Sequence, residues 1–309
     1  EHSIFSKLTN LVVYAERTDE KDLDLTIRVE REQKMDAHLL AEYVAKALEG
    51  QEPEEWEVYE LETGTAEAEK KALPRVAYYM SICSQLAPGC NDMVYGGDCY
   101  NMLSMLVHPN EVLDGMLTSH FGLMGQCSTA YGYQNQPVIK RLYAEHGETI
   151  NFVGVVLYPG DVSNDVKLRV KLRSGELASA LKLDGAVVFE TAGGSNIDVD
   201  FFYQLAELED RGVKTVGLTA EHGGKMMQDP KGNAIVSSGD TNAVHELPPM
   251  ETVIGDIESV VRDYFYGSWP RHDTYGPSLR PDGSLIVNMY MIGDGGNMTG
   301  FLPKAVREY

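Results

Sequence analysis

Positive charge is in short supply: 26 lysines and arginines face 47 aspartates and glutamates in 309 residues, a formal charge of -21. Such a surface repels nucleic-acid phosphates and anionic headgroups, which excludes nucleic acid and a membrane surface as direct partners. Long apolar runs are missing as well. None approaches the roughly 20 residues needed to cross a bilayer, and the opening EHSIFSKLTN lacks the basic-then-apolar pattern of a secretory leader. Cysteine is sparse: Cys83, Cys90, Cys99 and Cys127 form no C-x-x-C pair. No disulfide framework is expected, and reduced thiols in the cytoplasm are. The histidines show no ligand spacing, so no metal is expected. An initiator methionine is also absent, while residues 5–16 already read as a strand entry, so the sequence reads as a fragment or a processed product.

What is present is a globular share of apolar residues arranged in alternating patterns. NLVVYA (10–15) suits a buried strand, and 36–48 carries apolar residues at helical spacing. The glutamate-crowded stretch 51–71 reads as one half-exposed strand around Trp56 to Tyr59, followed by a solvated acidic connection. PRVAYYMSIC (74–83) is another strand, and 98–107 is too short to assign by period. Beyond residue 137 the pattern is regular: helix 138–146, strand 150–157, helix 166–183, strand 185–190, helix 197–210, strand 213–219. Buried strands alternating with amphipathic helices predict an α/β fold, a mainly parallel, Rossmann-like sheet with helices on both faces, in one or two lobes. The boundaries drawn are an N-terminal lobe at 1–110, a central loop at 111–137 and a C-terminal lobe at 138–309. The tail breaks at LPPM (247–250), with a helix expected at 257–266, a strand at 283–290 and a glycine turn at 293–297.

Ligands of parallel sheets gather at the carboxyl ends of the strands, which draws attention to the loops there. ETAGGSN (190–196) runs from strand into helix; Gly193 and Gly194 permit close backbone approach, and Ser195 and Asn196 precede a helix N-terminus that favours a substrate carboxylate. The same residues also read as a glycine-rich turn with a plain cap. The next loop places Glu221, a candidate acid or base, beside His222 and Lys225, and SSGDTN (237–242) reads as a third polar loop. The central stretch EVLDGMLTSHFGLMGQCSTAYGYQNQP (111–137) reads as exposed loop and short turns, and gathers Ser119, His120 and Cys127. Long loops of this kind are either functional or simple surface crossings.

Laid end to end, several segments resemble component B, the substrate-activating protein of the glycine, sarcosine and betaine reductases. They are IFSKLTNLVVYAE (4–16), LPRVAYYM (73–80), VYGGD (94–98), HPNEVLDGMLTS (108–119), QPVIKRLYAEHGETINFVGVVL (136–157), LPPMETVIGDI (247–257) and SLRPDGSLIV (278–287). The resemblance covers essentially the whole chain. It implies a subunit of a reductase complex in amino-acid metabolism, acting in reductive C–N cleavage of a small amine or amino-acid derivative. It further implies a partner subunit bearing a selenocysteine or cysteine, and a precursor cleaved before a cysteine that becomes a pyruvoyl group.

Here the chain departs from that pattern. The position matching the cleaved cysteine is Gly122, which has no side-chain nucleophile. Three readings follow: a reductase subunit using Cys127, or Ser119 as the self-cleaving residue; an uncleaved binding or scaffold subunit that docks onto a catalytic partner; or a metal- or thiol-dependent site built from His120, Cys127 and Glu221 or His222. Across these readings, Cys127, Ser119, His120 and Glu221 are the candidate catalytic residues, and Gly193, Gly194, Ser195, Asn196 and His222 the candidate substrate contacts.

Overall fold

The computed structural model describes residues 8–9, 11, 13, 23–84, 91–118, 130–190, 197–221, 234–240, 244–247, 249, 280–288 and 307–308. Helix α1 (Leu23–Ala45) runs into a short 3-10 turn and is followed by α2 (Leu61–Lys70) and strand β1 (Arg75–Cys83). Short elements come next: β2 (Met93–Val94), β3 (Gly97–Asp98), β4 (Met105–Val107), α3 (Pro109–Leu113), β5 (Leu117–Thr118) and α4 (Ala130–Gln134). Then follow α5 (Pro137–Glu145), β6 (Asn151–Gly160), α6 (Asn164–Leu181), β7 (Gly185–Phe189), α7 (Ile197–Asp210) and β8 (Lys214–Glu221). The last elements are β9 (Ala234–Asp240), β10 (Val244–Leu247), β11 (Leu285–Asn288) and β12 (Arg307–Glu308).

The main sheet has the order β12-β9-β8-β7-β1-β6-β4. Its central strands β6, β1, β7, β8 and β9 are all parallel, and antiparallel β4 and β12 close the edges. Numbered by appearance, those parallel strands stand in the order 2-1-3-4-5, so the chain reverses its direction of travel between β1 and β7. Strands from either side of the 111–137 segment thus interleave in one sheet.

Side-chain alternation on β1 explains why it sits in the middle. Tyr78, Met80 and Ile82 face a core that includes Val112 of α3, Tyr133 of α4 and Ile139 and Leu142 of α5. Ala77 and Tyr79 face the opposite core, built on Val166, Val170 and Ala178 of α6 and Phe201, Leu205 and Leu208 of α7. A strand buried on both faces reads as a continuous apolar run, as PRVAYYMSIC does. On β6 the alternation changes phase. Phe152 and Val155 point into the same core because a bulge shifts the register between Val76 and Ala77. Gly154, at φ +139°, makes this possible: a Cβ there would lie 2.9 Å from Leu106 Cδ1.

Helix starts follow local chemistry. His108 caps α3 by accepting from the Asn110 N–H, while Glu111 reaches back to the His108 N–H at 2.7 Å. Gln136 caps α5, with Pro137 at its first position.

Several expectations need correction. Residues 56–59 form no strand, and the acidic stretch after them is helix α2, with Ala68 buried and Leu61 packed on the core. The crowd of glutamates hid that sparse apolar stripe. Residues 237–240 belong to β9, where Ser237 pairs with Thr219, so they are strand and not loop. The central stretch is exposed loop only in expectation: Val112, Met116, Leu117 and Tyr133 are buried. The strand expected at 10–15, the helix at 257–266 and the turn at 293–297 lie wholly or mostly outside the described residues. No described helix is long and apolar enough to cross a membrane.

Candidate functional site

Strand order reverses between β1 and β7, the place where open α/β sheets hold ligands outside the carboxyl ends of their strands, and the side chains buried there include several polar ones. At the tip of β1, the Asp92 carboxylate accepts from the Cys83 N–H at 2.7 Å and from the Tyr133 hydroxyl at 3.2 Å. The Asp92 N–H returns a bond to the Cys83 carbonyl at 2.9 Å. Ser84 donates its N–H to the Gly160 carbonyl and its hydroxyl to the Cys99 carbonyl. Cys83 and Cys99 are free, buried thiols. Cys99 donates to the Cys83 carbonyl, and burial, reinforced by the Asp92 and Asp98 charges, pushes its thiol far up. A thiol so held stays protonated and inert, which makes Cys99 structural.

At the tip of β7, Glu190 is fully buried. Its N–H donates to the Leu218 carbonyl, and the Thr219 hydroxyl donates to its Oε2 at 2.5 Å. Burial first, then a hydrogen bond with the Asp198 carboxyl, pushes the Glu190 carboxyl well above the usual range. Tyr158 of β6 donates to the Phe189 carbonyl at 2.6 Å, and burial pushes its phenol up. Behind these groups, Lys167 of α6 and Asp200 of α7 form an ion pair with side chains 2% and 1% exposed. The Asp161 N–H also donates to Asp200 at 3.2 Å. Burial pushes the Asp200 carboxyl up to about 6 although the Lys167 ammonium opposes the shift.

Glu221 is the last residue of β8, its backbone paired with Asp240, so it ends a strand and does not lie past one. Ser119, His120, Gly122, Cys127, Gly193, Gly194, Ser195, Asn196 and His222 lie outside the described residues. Their flanks do not. Thr118 of β5 pairs with Met93 of β2, the neighbour of Asp92, and α4, which resumes after residue 129, supplies Tyr133 to Asp92. Thr118 and Tyr133, on either side of 119–129 in the sequence, therefore stand beside the tip of β1. Glu190 and Ile197, which flank 191–196, stand at the adjoining tip of β7 and the start of α7. Among the described residues, no group of three or more His, Cys, Asp or Glu is placed to hold a metal ion.

Sequence reasoning missed the acids that matter most. Glu190 was visible as the polar end of GAVVFE, but nothing local marked its full burial. Lys167 was legible in principle, since it shares the inward stripe of α6 with Val166, Val170 and Ala178. The Asp92–Tyr133 contact spans 41 residues, and no local pattern announces it.

The family model for glycine/sarcosine/betaine reductase component B subunits matches residues 1–307. The betaine reductase complex component B subunit alpha of Peptoclostridium acidaminophilum is 37% identical over 321 residues, covering 100% of this chain and 72% of that relative. The glycine reductase complex component B subunits alpha and beta of the same organism are 34% identical, with 100% and 71% covered. Those of Acetoanaerobium sticklandii are 30% identical, also with 100% and 71% covered. No solved structure matches the chain. A match that runs almost end to end, on a sheet whose ordered strand tips gather buried acids, is decisive for kinship: the chain belongs to the glycine/sarcosine/betaine reductase component B family.

Proposed function

We propose that this chain is the substrate-facing subunit of a component-B-type reductase complex, acting in reductive C–N cleavage of a small amine or amino-acid derivative. Its ligand sits in the crevice outside β1 and β7. The observation that supports this reading is that Thr118 and Tyr133, on either side of 119–129 in the sequence, stand beside the tip of β1, next to the tip of β7 that precedes 191–196. Gly193, Gly194, Ser195 and Asn196, which precede α7 in the sequence, suit the carboxylate of a zwitterion. Asp198, with the buried Glu190 behind it, suits its nitrogen end. Glu221 ends the next strand, and His222 follows it in the sequence.

In the proposed reaction a selenolate or thiolate of the partner subunit attacks the α-carbon. The C–N bond breaks, its electron pair leaves with the cationic nitrogen, which departs as the neutral amine and takes a proton from water, while carbon stays on the partner's sulfur or selenium. Cys127 is the thiol of this chain assigned to the site, with His120 seven residues before it in the sequence. Gly122 offers no nucleophile with which to make a pyruvoyl group, so no step is routed through one. That glycine favours a second reading, an uncleaved, non-catalytic subunit that binds the amine and docks the selenocysteine- or cysteine-bearing partner.

Intact-mass spectrometry and turnover with the partner separate the two. The reductase reading expects amine release by the reconstituted complex, abolished by Cys127→Ala with Tm unchanged. Two fragments with a carbonyl-reactive new terminus would place self-cleavage at Ser119 or Cys127. A single intact chain whose Cys127→Ala variant supports full turnover would remove the thiol role and leave the binding subunit.

A further inference from the structure

The Glu190 side chain is 0% exposed, and its two oxygens are treated differently. Oε2 accepts from the Thr219 hydroxyl at 2.5 Å, whereas Oε1 receives no donor. The Asp198 carboxyl nevertheless hydrogen-bonds this side chain. Two carboxyl groups can share a hydrogen bond only when one of them carries a proton. Placement decides which acid holds the proton. Glu190 is sealed at the end of a central strand, where ionisation is disfavoured. Asp198 is the second residue of α7 and half-buried, where the helix dipole favours an anion.

Of the other groups facing Glu190, all but Thr219 agree with this assignment. Asp200 of α7 adds a second negative charge nearby, and Tyr158 of β6 is a neutral phenol. The Lys167 ammonium of α6 is engaged by Asp200. The Thr219 hydroxyl of β8 favours the anion by donating to Oε2, and burial outweighs it.

We propose that Glu190 is a neutral carboxylic acid that donates its proton to Asp198, and is thereby the positioning residue that fixes the Asp198 carboxylate at the strand tips to meet the cationic nitrogen of a small amine. The role of Asp198 rests on the reading of the strand tips as the binding site; the proton on Glu190 does not. Glutamine is the informative replacement, because its amide can donate to Asp198 and accept from Thr219 in the same shape.

In ligand-free chain, infrared difference spectra at neutral pH show a protonated-carboxyl band in the wild type that Glu190→Gln lacks. Denaturation across pH gives a second readout. A carboxyl whose folded pKa is raised contributes stability that is complete below its unfolded value of about 4.5 and is lost as pH rises toward the folded value. The wild-type folding constant therefore falls above pH 4.5 by up to about tenfold per pH unit from this group, and Glu190→Gln removes that slope. Sarcosine, titrated by calorimetry as the probe, binds about tenfold or more weakly to Asp198→Asn and to Glu190→Ala, and Glu190→Gln restores affinity relative to Glu190→Ala.

No infrared difference, or an unchanged slope in Glu190→Gln, overturns the proton assignment. Undiminished sarcosine binding by Asp198→Asn overturns the positioning role. A wild type that binds no sarcosine, glycine or betaine overturns the binding-site reading and the role of Asp198 with it, while the infrared band alone then decides the proton.

Discussion

The two ends of the parallel sheet are built on different principles. At the amino end, charged groups are tied to backbone and left partly wet: Arg75 donates Nε to the Leu181 carbonyl at 2.7 Å, and Asp184 accepts from the Arg75 N–H at 2.8 Å. His146 accepts on Nδ1 from the Phe152 N–H at 2.9 Å while Nε2 meets the Leu61 carbonyl at 2.7 Å. At the carboxyl end, acids are sealed away from water with oxygens that receive no donor: Glu190 Oε1, Asp161 Oδ2 and Asp200 Oδ1. Burying such groups costs stability, and a fold that only needed to stand would not place them side by side. On the proposed reading the ligand lies at the rim where these acids are buried, although Asn151 Oδ1 at the amino end is likewise buried without a partner.

Five substitutions probe that contrast. The largest effect is expected from Lys167→Met, which leaves Asp200 buried without its cation; urea denaturation at neutral pH should show a loss of about 3–5 kcal/mol. Adding Asp200→Leu should recover most of it, because the isolated charge is then gone. Next is Gly64→Ala on the amino side, where a Cβ would lie 2.1 Å from His146 Cδ2. Overpacking there should cost about 1–3 kcal/mol in the same assay, with amine binding retained. Asp92→Ala removes the acceptor for Cys83 and Tyr133 at the β1 tip and should cost about 2 kcal/mol, with amine affinity lost beyond the change in folded fraction. Arg75→Ala should be mildest, about 1 kcal/mol, since its guanidinium satisfies one carbonyl at a partly wet position. The contrast breaks if Gly64→Ala or Arg75→Ala weakens amine binding as much as Asp92→Ala does.

Much of this architecture was legible beforehand where signals were local. Helix α7 starts and stops where its apolar spacing predicts, at Ile197 and Asp210, and β7 differs from expectation by one residue. The strand order was not legible. Sixty-odd residues separate β1 from β6, and nothing in them reveals that the two strands pair from Arg75 with Asn151 to Cys83 with Gly160. The hydroxyl- and glycine-rich SSGD hid a strand because pairing with β8 supplies what propensity does not. The site was half visible for the same reason: polar loops at strand tips can be read from spacing, whereas the burial of Glu190 and the reach of Tyr133 to Asp92 depend on tertiary contacts.

Hydrogen–deuterium exchange of the wild-type chain with saturating sarcosine, glycine or betaine tests the location of the site most directly. The account predicts new protection in peptides spanning 84–98, 119–130 and 190–200, with none at 61–75 or 181–186. Protection confined to the amino-end peptides, or spread evenly along the chain, would contradict it.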